Sequence, residues 1–452
     1  MDLYGKKVLV LGLGITGVSA VKSLNLLGAK IVVNDNKSKD KLQETLKSIE
    51  DIPMELQLNN NDIDLNGIDL VIKSPGIPPN SNIIKKAIEK DVEVLTDIEL
   101  AYRILPTDNI IAITGTNGKT TSTILTGEIL REAGFTTHVV GNVGTGILEK
   151  IVDANESDVF VVEASSFQLE HTSIFKPKIA LITNVTPDHL DWHGSFENYL
   201  KSKFKIFSNQ DSRDYLVLNY DDKILRDLES KVKSNIIYFS VKEKLNKGIY
   251  VDNDYIIVDD QINRKELMSI KELKILGRHN LENALGCIGI ALAMGIHDDI
   301  IVKTLKNFNG VEHRIEFVAK KRNISFYNDS KGTNIDASLK AIESVNPPII
   351  LIGGGYDKGL DFDDLIKGFD TKVKALVILG QTKEKIKNAA LKNGYTSIYE
   401  VNTIKDAVDL SYEIADEGDS VLLSPACASW DMYNSFEERG KDFKKCVLRL
   451  LE

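Results

Sequence analysis

Between strand-like Ile111–Thr114 and a helical stretch, the chain reads Gly115-Thr116-Asn117-Gly118-Lys119-Thr120-Thr121. Glycines let a backbone turn tightly enough to aim several N–H groups inward. A lysine follows at once, and then two hydroxyls. These residue types suit a polyphosphate. The N–H groups and the helix N-terminus cradle phosphate oxygens, the lysine reaches the terminal phosphates, and the Thr120 hydroxyl can ligate Mg²⁺. The spacing is short, because Ile113 stands where the first glycine of G-x-x-x-x-G-K-[ST] would be. The loop is G-x-x-G-K-T-T, and Gly115, Thr116, Asn117, Gly118, Lys119, Thr120 and Thr121 are its expected triphosphate contacts.

Further along, Glu163 ends the apolar run Asp158–Val162, and Asp188-His189 follow the run Ile179–Thr183. Acids and imidazoles at the C-terminal ends of parallel strands fall where ligands bind in open α/β sheets. Glu163 is a candidate Mg²⁺ ligand, since that metal pairs carboxylate with phosphate oxygens. His189 has two readings, a metal or substrate contact or a solvated loop residue. His193 reads as loop. Glu197–Phe207 has helical periodicity, with Tyr199, Leu200, Phe204, Ile206 and Phe207 on one stripe and Lys201 and Lys205 opposite. Lys203 falls inside the stripe. Buried there it would have a lowered pKa and a nucleophilic amine; otherwise it snorkels to water.

An earlier turn, Gly12-Leu13-Gly14-Ile15-Thr16-Gly17, follows the strand Lys7–Leu11 and precedes a second strand ending at Asp35. Small residues let a diphosphate approach a helix N-terminus, and the acid can bind a ribose hydroxyl. A dinucleotide, another nucleotide diphosphate, or packing alone would each account for the turn. Lys73-Ser74-Pro75-Gly76-Ile77-Pro78 reads as a Pro-Gly turn after the strand Asp69–Ile72.

The elements that must position these groups follow one plan. Strands lead into glycines at Gly12, Gly115 and Gly353, and helical patterns clearly follow the first two, as in βαβ units around parallel sheets. The expected fold class is α/β in three domains, 1–105, 106–310 and 311–452, divided near Leu105-Pro106-Thr107 and Asn309-Gly310-Val311. Residues 220–275 read as a small sheet at the edge of the middle domain, without chemistry. A net charge of -10 argues against a general nucleic-acid binder. Cys287, Cys427 and Cys446 form no zinc or disulfide pattern. No run approaches a membrane span and the N-terminal residues lack a signal-peptide pattern, so a cytoplasmic protein is expected.

Ser424-Pro425-Ala426-Cys427-Ala428-Ser429-Trp430-Asp431, then Phe436-Glu437 and Arg439-Gly440, resembles the closing signature of the Mur ligase family. The resemblance runs in order through Gly12–Gly17, Ser74-Pro75-Gly76, Gly115–Thr121, Gly141–Gly144, Glu163–Leu169, Asn184–His189, Gly277–Asn280, His313-Arg314 and Asn328–Lys331. It is weakest over 36–68 and 220–275. The short phosphate loop is the form that family uses.

The resemblance implies a Rossmann-like UDP-substrate domain, a central ATPase domain with a parallel sheet and a Rossmann-like C-terminal domain. It implies amide formation between UDP-N-acetylmuramoyl-L-alanine and D-glutamate, with ATP as co-substrate and Mg²⁺ as cofactor, by a monomer. Lys119, Glu163, His189 and Lys203 would be catalytic. Thr120, Glu163, His189 and a carbamylated Lys203 would surround metal. Asn280, Asn283, Arg314 and Asp329 would contact ATP. Gly14, Ile15, Thr16, Gly17, Asp35, Ser74, Gly76 and Asn142 would contact the UDP substrate, and Thr333, Lys358, Ser429 and Phe436 the D-glutamate. A folylpolyglutamate synthase, a sister ligase, a nicotinamide-dependent oxidoreductase and a non-catalytic nucleotide-binding module are the alternatives.

Overall fold

A computed structural model describes residues 1–60 and 63–450 of the chain. The first sheet contains β1 (Lys7–Leu11), β2 (Lys30–Asp35), β3 (Met54–Leu58), β4 (Leu70–Lys73) and β5 (Glu93–Leu95), all parallel in the order β3-β2-β1-β4-β5. β1 and β4 are nearly continuous apolar runs because helices cover both faces. The strand order reverses between β1 and β4, so their following turns, at Gly12 and Ser74, open a crevice there.

The second sheet contains β6 (Ile110–Thr114), β7 (Thr137–Gly141), β8 (Val159–Glu163), β9 (Ile179–Ile182), β10 (Tyr215–Asn219), β11 (Asn235–Ser240), β12 (Gly248–Asp252), β13 (Tyr255–Asp259) and β14 (Arg264–Ser269). Their order is β14-β13-β12-β11-β10-β9-β6-β8-β7, and only the β12-β13-β14 meander is antiparallel. Residues 220–275 therefore do not make a separate small sheet. β11 pairs with β10 in parallel, and the meander continues the main sheet outward. β6 sits between β8 and β9, which brings the loop after β6 beside Glu163 and the 183–186 segment.

The third sheet contains β15 (Glu316–Lys321), β16 (Ile324–Asn328), β17 (Ile349–Gly354), β18 (Val373–Leu379), β19 (Ile398–Glu400) and β20 (Ser420–Leu423). Its order is β15-β16-β20-β17-β18-β19, with β15 alone antiparallel. The C-terminal ends of β16, β20 and β17 lie side by side, and Asp329, the 424–431 loop and the 355–359 loop leave from them.

The described chain forms two compact units, 1–272 with 282–305, and 273–281 with 306–452. The first holds two sheets. Residues 273–281, expected with the middle stretch, pack with the second unit because Leu276 finds apolar cover against the core around β17. No helix among the described residues is long and apolar enough to cross a membrane.

One buried acid ties the two sheets of the first unit together. Glu99, on the helix Asp97–Ile104, is fully buried and accepts from Ser173 N (3.0 Å), Ile174 N (3.1 Å), Phe175 N (3.0 Å) and Arg103 Nε (2.9 Å). Thr96 Oγ1 donates to Gln168 O at 2.9 Å, and Gln168 donates back to both Asp97 oxygens at 3.1 Å. Glu99→Ala strands three backbone N–H groups and leaves Arg103 with Glu93 as its carboxylate partner. It is expected to lower stability by about 3 kcal/mol in urea unfolding, with Glu99→Gln losing less.

Candidate active site

The phosphate loop departs from β6 with two glycines in left-handed or extended-positive backbone, Gly115 at φ +151° and Gly118 at φ +85°. A Cβ on Gly115 would lie 1.9 Å from Thr183 Oγ1, and one on Gly118 would lie 2.1 Å from Asn283 Oδ1. Glycine is therefore required by contact as well as by conformation. Gly118 also caps the helix Lys119–Glu132, whose first N–H groups face the loop.

The loop is laced to the segment after β9. Thr116 N donates to Asn184 O and Asn117 N to Asn184 Oδ1, both at 2.9 Å, while Thr183 Oγ1 donates to Asn117 O at 2.6 Å. Lys119 Nζ lies over the loop, donating to Gly115 O at 2.9 Å and Thr116 O at 2.8 Å. Asn283 stands against Gly118 of the loop. Asn280, one turn earlier on the helix Arg278–Ala293, donates to Leu276 O at 2.7 Å.

Lys203 does not snorkel. It is 1% exposed on the helix Phe196–Phe204, which ends sooner than its periodicity suggests. Its Nζ donates to Gly115 O at 2.7 Å and to Thr114 Oγ1 at 3.4 Å, and lies 4.7 Å from the Tyr199 ring centroid. Burial holds its pKa well below the usual lysine range. The nearby Lys119 charge pushes the same way, and Asp188 and Glu163 oppose. Lys205, expected opposite the apolar stripe, turns back to donate to Glu170 O.

Glu163, at the end of β8, is 1% exposed. Its Oε1 accepts from Asn142 Nδ2 at 2.9 Å, while Oε2 is buried with no hydrogen-bond partner. Asn142, expected at the UDP substrate, is thus held to Glu163 from both backbone and side chain. His189 stands at φ +51° on its loop, half-exposed, with its ring 4.8 Å from Phe167 and Nε2 3.5 Å from Asp188 Oδ2. His193 is not a loop residue. It is buried in the short helix Leu190–His193, where Nε2 meets Ser166 Oγ at 3.0 Å.

At the first sheet, Gly12, Asp35, Gly76, Ile77 and Pro78 line an open groove of about 460 Å³. A Cβ on Gly17 would lie 1.8 Å from Gly12 O, so this third glycine serves helix–strand packing. Ser74 Oγ donates to Gly12 O at 3.1 Å. Asp35 is buried, and its carboxylate accepts from Leu13 N at 2.7 Å and Lys37 N at 2.8 Å, so it braces the turn from behind. Gly14 precedes the helix Ile15–Leu26, which opens with exposed Ile15 and half-buried Thr16.

In the second unit Asp329 turns inward. Its Oδ2 accepts from Ser424 Oγ at 2.7 Å and its Oδ1 from Ile315 N at 3.3 Å. Burial raises its pKa to about 7 against these bonds and the charges of Arg314 and Arg439. Phe436 opens the helix Phe436–Arg449. Its carbonyl accepts from Ser330 Oγ at 2.8 Å, and Lys331 Nζ lies 5.2 Å from its ring. Ser429 is buried, and its carbonyl accepts from Met432 N and Tyr433 N. Thr333 is half-buried just past Lys331, and Lys358 is exposed on the loop after β17.

Two contributors escape motif reading, and a third, Arg439, stands in the closing signature without a role assigned to it. Tyr199 O–H pairs with Thr116 Oγ1 at 2.9 Å, and its place one turn before Lys203 was the available signal. Lys73, inside what reads as a plain Pro-Gly turn, is fully buried and donates to Ile77 O at 2.9 Å. Burial lowers its pKa to about 8. Arg439 is buried and donates to Ser330 O (2.8 Å), Cys427 O (3.1 Å) and Ala428 O (3.2 Å), holding two loops together. Glu312, His313 and Glu316 form a tight acid–imidazole group, but Lys444 already pairs with both carboxylates.

A short phosphate loop at the ends of parallel strands, with a buried acid and a buried lysine beside it, suits an enzyme that acts on a nucleoside triphosphate. The chain belongs to the Mur ligase family. Residues 113–291 match the Mur ligase middle domain, 6–96 the Mur ligase MurD-like N-terminal domain, and 313–427 the Mur ligase glutamate ligase domain. A UDP-N-acetylmuramoylalanine–D-glutamate ligase from Thermoanaerobacter pseudethanolicus is 49% identical over 453 residues, covering 100% of both chains. One from Clostridioides difficile is 47% identical over 455 residues, again covering 100% of both. The crystal structure of a UDP-N-acetylmuramate-alanine ligase from Thermotoga maritima shares the fold, with a TM-score of 0.60 at 18% identity over 98% of this chain and 99% of that one. The chain is accordingly an ATP-dependent, amide-forming ligase.

Two measurements check the site's physics. Tyr199→Phe removes the hydroxyl that fixes Thr116, and the KM for ATP is expected to rise about fivefold, the equivalent of ~1 kcal/mol. Asp329 holds its proton more tightly folded than unfolded, so its contribution to stability is full below pH ~4 and is lost as pH rises toward about 7. Urea unfolding between pH 5 and 8 should show that decline in the wild type, and Asp329→Asn should flatten it.

Proposed function

We propose that the chain joins D-glutamate to UDP-N-acetylmuramoyl-L-alanine at the expense of ATP, acting in the cytoplasm with 1–105, 106–310 and 311–452 as substrate, nucleotide and amino-acid domains. Full-length relatives at nearly half identity that bear this activity in their names support the choice of substrates. The observation that carries the chemistry is the meeting of Lys119 and Lys203 on one carbonyl, Gly115 O, at the phosphate loop.

The substrate carboxylate attacks the γ-phosphorus of ATP and ADP leaves, forming an acyl phosphate. The D-glutamate nitrogen then attacks the acyl carbon, loses a proton, and phosphate is expelled. A carboxylate is a poor electrophile and phosphate a good leaving group, so ATP supplies what the amide bond needs. The protein's part is positioning and charge neutralisation. Lys119 and the N-terminus of its helix meet the triphosphate, with Asn283 closing over Gly118.

Glu163 and Thr120 fit Mg²⁺ as its holders. The buried, unpartnered Oε2 of Glu163 is an oxygen suited to a hard cation, and the Thr120 hydroxyl stands at the helix start. When bound, the ion neutralises charge on the phosphoryl group in transfer. The lowered pKa of Lys203 favours the neutral amine, the form that adds CO₂ to give a carbamate and release a proton. A carbamylated Lys203 would offer an anionic oxygen to metal, with His189 at the rim of the same site.

Phosphate release from ATP is expected only when UDP-N-acetylmuramoyl-L-alanine and D-glutamate are both present, and equal turnover with L-lysine would sink the acceptor assignment. Lys203→Ala should abolish that release while circular dichroism stays native, with short carboxylates partly restoring it. Full activity in the variant would leave Lys203 a structural role only.

A further inference from the structure

The sheet edge that carries Lys358 also carries an aromatic group that the reaction as derived does not use. Trp430 is 63% exposed, although its neighbours from Ser424 to Ser429 are all buried. Lys358 Nζ lies 5.3 Å from its ring centroid, and the Tyr356 ring lies 5.5 Å away on the same loop as Lys358. The backbone enforces this meeting. Tyr356 N donates to Ala428 O at 2.9 Å in an antiparallel bridge, and Arg439 holds Cys427 and Ala428 from behind. Asp431 Oδ2 accepts from Gln381 N at 2.9 Å, fixing the residue after Trp430.

The charges around Lys358 are equally telling. The adjacent carboxylate, Asp357, is taken by Lys385, and Asp431, on the facing loop, is turned to Gln381. Lys358 makes no ion pair among the described residues, so its ammonium rests on the indole face alone. Such a contact at an exposed site biases a four-bond side chain without neutralising it.

We propose that Trp430 is a positioning residue for amino-acid specificity: its indole face holds the Lys358 ammonium, unpaired by any protein carboxylate, ready for the side-chain carboxylate of an incoming acidic amino acid. The inference rests on the D-glutamate reading above. A neutral side chain would leave the held ammonium without a counter-charge, and a basic one would be repelled.

The full-length enzyme tests this through Trp430→Ala and Trp430→Phe, assayed by phosphate release. Trp430→Ala should raise the KM for D-glutamate about fivefold, with kcat and the KM for ATP within twofold of wild type. Its preference for D-glutamate over D-glutamine should narrow by a similar factor. Trp430→Phe, which keeps an aromatic face, should stay within about twofold of wild type. Should the alanine variant melt below the assay temperature, Trp430→Leu carries the same expectation, since leucine fills volume without a π face. An unchanged KM for D-glutamate in a D-glutamate-dependent enzyme, or a fall in kcat alone, overturns the inference by itself. A wild type indifferent to D-glutamate overturns the acceptor reading and this inference together.

Discussion

The carbonyl oxygen of Gly115 accepts from two lysines, Lys119 at 2.9 Å and Lys203 at 2.7 Å. A carbonyl oxygen has two lone pairs and can accept from both, but the two ammonium groups repel. Glycine is needed here because a Cβ would strike Thr183. Burial of Lys203 disfavours its charged form, and the Lys119 charge reinforces this. Much of the central site follows from this arrangement. Lys119 lies over the phosphate loop, and the pKa of Lys203 is held below the usual lysine range by burial. The Thr183–Asn184 segment must come down over the loop to satisfy its N–H groups.

The same economy governs the loops of the third sheet. The segments after β16 and β20 leave adjacent strand ends, and Arg439 joins them by donating to carbonyls of Ser330, Cys427 and Ala428. Its charge meets no carboxylate in those bonds, and burial lowers its pKa to about 10. The backbone oxygens it gathers carry Phe436, Ser429 and the Tyr356 bridge into one rim. At the first sheet, Asp35 plays the analogous part for the Gly12 turn by accepting two backbone N–H bonds.

These acids show what residue type leaves open. Asp35, about twenty residues past a glycine turn, lines the groove at that turn while its carboxylate accepts from Leu13 N and Lys37 N. Asp329, in an Asn-Asp-Ser-Lys run, accepts from Ser424 Oγ and Ile315 N. Direction of approach is a property of packing, and no spacing rule encodes it.

Local chemistry was legible in the residues alone. Strands before Gly12, Gly115 and Gly353 are short β-branched runs, and the 3.6-residue stripe around Tyr199 and Lys203 marks a buried helix face. The glycines of the phosphate loop announce a backbone that must approach a ligand. These are effects of neighbours in sequence, where sterics and periodicity act directly. The contacts across long sequence separations were decided only by the fold. Lys203 meets Gly115 from 88 positions away, Asn142 meets Glu163 across β7 and β8, and Arg439 meets Ser330 from 109. The meander at β12–β14 likewise joins the main sheet because β11 offers it an edge. Which polar group satisfies which depends on three-dimensional burial, where an unpaired donor costs too much to leave, and that choice is made by tertiary packing.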